Sequence, residues 1–350
     1  MSNALEALTY TNPLYPRYFA DPFVWRYKDE YYAVGTGPAE ASGETKEAEA
    51  SSSAMPDGLR IFPLLHSVDF VDWRYVTGAL VPPSPNLGDS FWAPEVAFHQ
   101  GIFYLYYSVG KEDKGHQLRV ATSSDPLGPY TDTGKSLVDP TLFPFTIDAH
   151  AFEDDDGQWY LYYARDFLDL EGERRAGTAL VVDRMIDMTT LAGTPTTVAR
   201  ARYDWQLYIA DRTMYGAQWD WHTLEGPSVV KRDGRYYCFY SGGRWETETY
   251  GVDYCVAEHP LGPWDDSGSK NGPRVLKTVP GQVIGPGHNS IVKGPDNVTD
   301  YIVYHAWDPL RTARRMCIDR LVWTPEGPRA EGPTLSPQTV ERIRSAQDKL

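Results

Sequence analysis

Along this chain, a short apolar strand, a turn carrying Asp or Gly and a strand dense in aromatic residues recur in the same order. The copies read ADPFVWRYKDEYYAVGTG from Ala20, APEVAFHQGIFYLYYSVG from Ala93 and IDAHAFEDDDGQWYLYYARD from Ile147. They continue as LEGPSVVKRDGRYYCFYSGG from Leu224 and GPGHNSIVKGPDNVTDYIVYHAW from Gly285. Runs such as Tyr104-Leu105-Tyr106-Tyr107 and Tyr160-Leu161-Tyr162-Tyr163 are apolar on both faces, as strands packed between neighbouring sheets should be. A weaker element follows several copies: HSVDFVDWRYV from His66, ATSSDPLGPYTD from Ala121 and CVAEHPLGPWDD from Cys255, each a strand and a turn followed by an aromatic. Two hairpins per repeat make a four-stranded antiparallel sheet. Five such sheets predict an all-β fold, a five-bladed β-propeller forming one domain over residues 1–350.

Two segments break the rhythm. Residues 38–57 (PAEASGETKEAEASSSAMPD) hold Ala, Ser and Glu without aromatics and read as a mobile acidic surface loop. Residues 203–222 (YDWQLYIADRTMYGAQWDWH) crowd Trp and Tyr with little alternation, so half of these rings read as core and the others as candidates for stacking on sugar faces.

The leading residues of the repeats are Asp21, Glu95, Asp148, Glu225 and His288, separated by 74, 53, 77 and 63 positions. In a propeller, equivalent positions on innermost strands converge on one mouth of the central channel. Carboxylates brought together raise one another's pKa, and such clusters are where acid–base chemistry is found. Hydrolysis of a glycosidic bond needs one protonated carboxyl to serve the leaving oxygen and one ionised carboxylate for water or sugar. Trp92, just before Ala93-Pro94-Glu95, is a further candidate for stacking on a sugar ring. The acidic run at Glu153–Asp156 reads instead as a solvated hairpin turn.

The charge balance narrows the partners. The 350 residues carry 33 Lys and Arg against 48 Asp and Glu, a net charge of −15. That balance repels phosphate backbones and anionic lipid, which argues against nucleic acid and membrane surfaces and leaves an oligo- or polysaccharide open. The three cysteines, Cys238, Cys255 and Cys317, lie in strand-like runs without CxxC spacing and read as buried free thiols. The opening MSNALEALTYTNPLYP lacks a basic n-region and an apolar h-region, so the expectation is a cytoplasmic protein, a trimmed secreted one being the alternative.

Taken in order, these motifs resemble glycoside hydrolase family 43, five-bladed propellers that hydrolyse with inversion, and the resemblance runs from about Tyr18 to Thr334. Ala20-Asp21-Pro22 is similar to the motif of the general base, Ile147-Asp148 to that of the pKa-modulating aspartate and Leu224-Glu225-Gly226-Pro227 to that of the general acid. Trp92-Ala93-Pro94 and Gly285-Pro286-Gly287-His288 also fit, the latter placing a histidine on the axis. In some members that histidine lies near a central calcium ion, reached partly through water. The resemblance therefore implies no required cofactor, while a structural Ca2+ on the axis near His288 stays open. Arg314 falls where members carry an arginine that contacts substrate. Ala149 stands where proline usually follows the aspartate, and Ala313 where glycine usually precedes the arginine. The implied activity is cleavage of α-L-arabinofuranosyl linkages, with β-xylosidase as runner-up. A retaining, fructan-type hydrolase would carry Arg-Asp-Pro and Glu-Cys motifs, and the chain has neither. A non-catalytic propeller has no reason to gather carboxylates.

Overall fold

The computed structural model describes residues 5–38 and 60–343, so beyond Pro38 the insertion read at 38–57 lies outside the described residues. The described chain is all-β, interrupted only by short 3-10 turns at Pro85–Leu87 and Asp204–Gln206. Among the described residues no helix is long and apolar enough to cross a membrane.

Each repeat begins with the strand read from its motif: Ala20–Tyr27, Ser90–His99, Thr146–Glu153, Ala217–Arg232 and Ile284–Lys293. In each case the aromatic strand follows as an antiparallel partner. The first, second and fifth repeats form separate four-stranded sheets. The third and fourth are joined in one ten-stranded sheet, where the expectation was separate sheets. The link is a short parallel pairing of Gly177 with His222 and Thr178 with Thr223. Its cause is the aromatic segment, which folds into a hairpin of Leu207–Met214 against the lengthened strand Ala217–Arg232. A Cβ on Gly177 would stand 1.8 Å from the His222 carbonyl oxygen, so only glycine lets the strands meet.

The aromatic strands are apolar on both faces because each is sandwiched between two cores. Along Ile102–Lys111, Phe103, Leu105, Tyr107 and Val109 pack with the first repeat, whereas Tyr106 packs with Leu161 and Tyr163 of the third. Along Trp159–Phe167, Tyr160 and Tyr162 turn towards Cys238 and Tyr240 of the fourth repeat. Along Asp300–Trp307, Ile302 and Tyr304 face Phe239 and Val252, while Tyr301 and Val303 face Val24 and Tyr31 of the first repeat. Fully burying each such side chain contributes about 1.5–3 kcal/mol. Cys238, Cys255 and Cys317 are buried and free.

The two ends of the chain meet. Leu5–Tyr10 pairs antiparallel with Gln338–Ile343, and Tyr10 and Val340 join the core shared by the fifth and first repeats. Asn12 reinforces the contact, its Nδ2 donating to the Ile318 carbonyl at 2.8 Å and its Oδ1 accepting the Ile318 N–H at 2.9 Å.

Candidate active site

Every first strand carries a register shift, midway along the lengthened Ala217–Arg232 and closer to the start in the others, and each strand holds a left-handed residue there. These are Asp21 (φ 49°), Ala93 (φ 45°), Asp148 (φ 60°), Gly226 (φ 57°) and His288 (φ 49°). For a non-glycine residue this conformation costs about 1–2 kcal/mol, and such strain gathers at functional sites. The bulge re-aims the side chain out of the pleat towards the pocket.

The bulges also correct the alignment of the repeats. Ala93, not Glu95, occupies the second repeat's equivalent position, and in the fourth repeat Gly226 does, with Glu225 just before it. Glu95 sits past its bulge in the class of His150, Ser228 and Ser290. It is buried and lies 2.8 Å from His150 Nδ1, while His150 Nε2 accepts the Val229 N–H at 3.0 Å. This polar layer ties neighbouring first strands together and does not line the pocket.

Asp21, Asp148, Glu225, His288, Arg314 and Trp92 all line one pocket of about 300 Å3, together with Tyr18, Glu112 and Trp245. Around Asp21 Oδ1 stand Arg314 Nη1 at 3.3 Å, His288 Nδ1 at 3.4 Å and His305 Nδ1 at 3.2 Å. Burial pushes the Asp21 carboxyl up, but His288, Arg314 and His305 outweigh it and hold the group well below the usual carboxylate range. Burial pushes both imidazoles down, His305 to about 4, so Arg314 is the neighbour that stays charged at neutral pH.

Glu225 is the opposite case. Burial raises its pKa to about 7, against the Tyr250 hydroxyl that donates to Oε1 at 2.6 Å, and the Asp21 charge adds to the rise. Burial, Glu225 and Asp21 push Asp148 well above its ordinary value, while the Gly226 N–H donated to Oδ2 at 2.9 Å works against them. Asp148 and Glu225 thus retain a proton between them at neutral pH, while Asp21 stays ionised.

Arg314 opens its strand, with Nη2 donating to the Tyr18 hydroxyl at 2.7 Å and its guanidinium 4.3 Å from the Trp245 ring centroid. Arg315 turns away, pairing with Asp308 and the Pro16 carbonyl, so Arg314 is the arginine in the pocket in spite of Ala313 before it. Trp92 stacks on His116 with ring centroids 3.6 Å apart. The rings of the 203–222 segment are not part of the pocket lining. Trp221 is buried, Tyr215 bonds to Asp166 and Trp205 donates to the Ser269 carbonyl, so these three rings are engaged within the protein. The acidic turn is more than solvated, because Asp154 accepts from Lys231 and from Tyr236, each at 2.6 Å.

Sequence reasoning missed Tyr18, Trp245, Tyr250 and His305. His305 alone carried a signal, as a polar residue inside a strand apolar on both faces. Trp245 and Tyr250 sit in a connection without a repeated pattern. No group of three or more His, Cys, Asp or Glu side chains able to hold a metal ion occurs among the described residues.

A family model described as glycosyl hydrolases family 43 matches residues 10–328. The chain is 29% identical over 321 residues to the β-D-galactofuranosidase of Aspergillus niger, covering 90% of this chain and 83% of that protein. It is 25% identical to an extracellular exo-α-(1→5)-L-arabinofuranosidase of Streptomyces avermitilis, covering 93% of this chain and 63% of that one. The crystal structure of a thermostable family-43 glycoside hydrolase superposes with a TM-score of 0.77 at 31% identity, over 96% of this chain and 99% of the other. The chain belongs to glycosyl hydrolases family 43 and is a glycoside hydrolase.

Proposed function

We propose that this enzyme is an inverting hydrolase of α-L-arabinofuranosyl linkages in arabinan or in arabino- and xylo-oligosaccharides, built on a single five-bladed β-propeller. The five core clusters support the blade count, since each joins one repeat to the next and the last joins the fifth to the first. One observation carries the mechanism: two carboxyls in one pocket have pKa values pushed apart, Asp21 down and Glu225 up.

In this reading Asp21 is the general base, taking a proton from water as the water oxygen attacks the anomeric carbon. Glu225, protonated, gives its proton to the glycosidic oxygen as the C–O bond breaks. Asp148 modulates Glu225, and two carboxyls serving opposite faces of the sugar fit single displacement. Arg314 and His288 hold Asp21 and reach the sugar, Trp92 offers it a ring face, and the scheme uses no cofactor.

The name of the Aspergillus relative supports a second reading, a β-D-galactofuranoside substrate. β-Xylosidase is the pyranoside alternative. Proton NMR of the enzyme with aryl α-L-arabinofuranoside, aryl β-D-galactofuranoside, aryl β-D-xyloside and linear arabinan, in separate tubes, tests the whole reading. Inverted arabinose as the first anomer is the expected result. Inverted galactose or xylose replaces the substrate and keeps the mechanism, and a retained anomer overturns the roles of Asp21 and Glu225.

A further inference from the structure

Tyr250 stands between the two carboxyls that the mechanism needs. It is buried, with a relative exposure of 1%. Its hydroxyl donates to Glu225 Oε1 at 2.6 Å, and its ring lies parallel to His305, 7° between planes and 5.9 Å between centroids. His305 Nδ1 in turn receives the Asp21 N–H at 3.0 Å. Ser241 Oγ accepts the His288 N–H at 2.7 Å. Close packing holds this arrangement, for a Cβ on Gly287 would stand 2.2 Å from the Tyr250 ring.

The direction of this bond follows from counting hydrogens. A tyrosine hydroxyl has one proton to donate, and Tyr250 directs it at Glu225 Oε1. Oε1 is thereby occupied as an acceptor, and the acidic proton of Glu225 is left on Oε2.

We propose that Tyr250 is a positioning residue for the general acid, whose hydroxyl confines the transferable proton to Glu225 Oε2 and stabilises the carboxylate left behind. The inference rests on the reading of Glu225 as the acid. The proton passes from Oε2 to the leaving oxygen, which takes the electron pair of the broken C–O bond, while Asp21 takes a proton from the attacking water. The other charged groups acting on Glu225 are Asp148, Asp21, Arg314 and Glu246, and Tyr250→Phe alters none of them.

The test compares Tyr250→Phe and Glu225→Gln with the wild type on aryl glycosides of the sugar that the wild type turns over, with leaving phenols of widely different acidity. In Tyr250→Phe, kcat for poorly acidic phenols should fall by about tenfold or more, while dinitrophenolate release stays within about threefold. The descending pH limb should move up by about one unit, because the carboxylate has lost a donor. A Tyr250→Phe limb and leaving-group dependence that superpose on the wild type overturn the positioning role and leave Tyr250 as packing. A Glu225→Gln variant that keeps the limb overturns the acid assignment itself.

Discussion

The Asp148 carboxylate accepts the main-chain N–H of Gly226, the residue after Glu225, at 2.9 Å. Two first strands are thus joined at their bulges, and the Asp148 carboxyl is placed beside Glu225 through the backbone. Gly226 has φ 57°, and a Cβ there would sit 3.2 Å from the His288 ring, so glycine lets the strand pass between them.

Asp148→Asn keeps an acceptor for Gly226 and removes the charge. With the repulsion gone, the pKa of Glu225 should fall and the descending limb of kcat/KM should move to lower pH by about one unit. Activity at pH 7 should drop by about tenfold or more as less acid is protonated and oriented. A pH–rate profile checks both.

In the wild type, the limb assigned to Glu225 should descend near pH 7, its pKa being about 7. The rate should stay flat through the ordinary carboxylate range below, since Asp21 is held beneath it. Stability carries the same signs. Glu225 binds its proton more tightly in the folded state, so its contribution is present below its ordinary 4.5 and is lost as pH rises through about 7. Asp21 contributes above the ordinary carboxylate range and loses that contribution as pH falls. Urea midpoints should therefore place Glu225→Gln higher relative to the wild type at pH 8 than at pH 5.

Arg314→Met removes the permanent cation at 3.3 Å from Asp21. The Asp21 carboxyl should rise, because burial is then opposed only by two imidazoles that are neutral at pH 7. An acidic limb should appear in the profile within the ordinary carboxylate range, with kcat/KM at pH 7 reduced by about tenfold or more.

Trp92→Ala removes the ring face presented to the pocket. If that face holds a sugar, KM should rise by about tenfold, equivalent to about 1.4 kcal/mol, with kcat changed much less. Steady-state kinetics separate this from a lost catalytic group, which lowers kcat.

Asn12→Leu tests the closure of the chain. The buried Ile318 N–H and carbonyl lose a partner each, at a cost of about 1–3 kcal/mol. Thermal melting should fall by several degrees, at about 2–4 °C per kcal/mol for a large domain, without movement of the pH–rate profile.

Much of this was legible in the sequence because the fold is made of local units. A strand, a turn and an aromatic strand are neighbours in the chain, so period and turn chemistry reveal them without tertiary information. Asp21 and Asp148 lie in the bulges, and their motifs marked them correctly as leading residues. Glu95 shows the limit: read by motif it belonged to the mouth, yet a bulge of two residues moves it to the layer below. Side-chain direction in a strand reverses with every residue, so only the register of pairing could place it.

The sequence by itself determined the repeats, the two-sided apolar strands and the identity of the carboxyls, since each depends on residues close in the chain. Tertiary structure alone decided which carboxyl is ionised. Asp21 is set by His288, Arg314 and His305, its partners from the far end of the chain. Glu225 is set by burial and by Tyr250. Electrostatic and hydrogen-bond energies fall off over a few ångströms of space, whatever the separation along the chain. The chemistry of the site therefore exists only once the ring of repeats has brought its first and last members together.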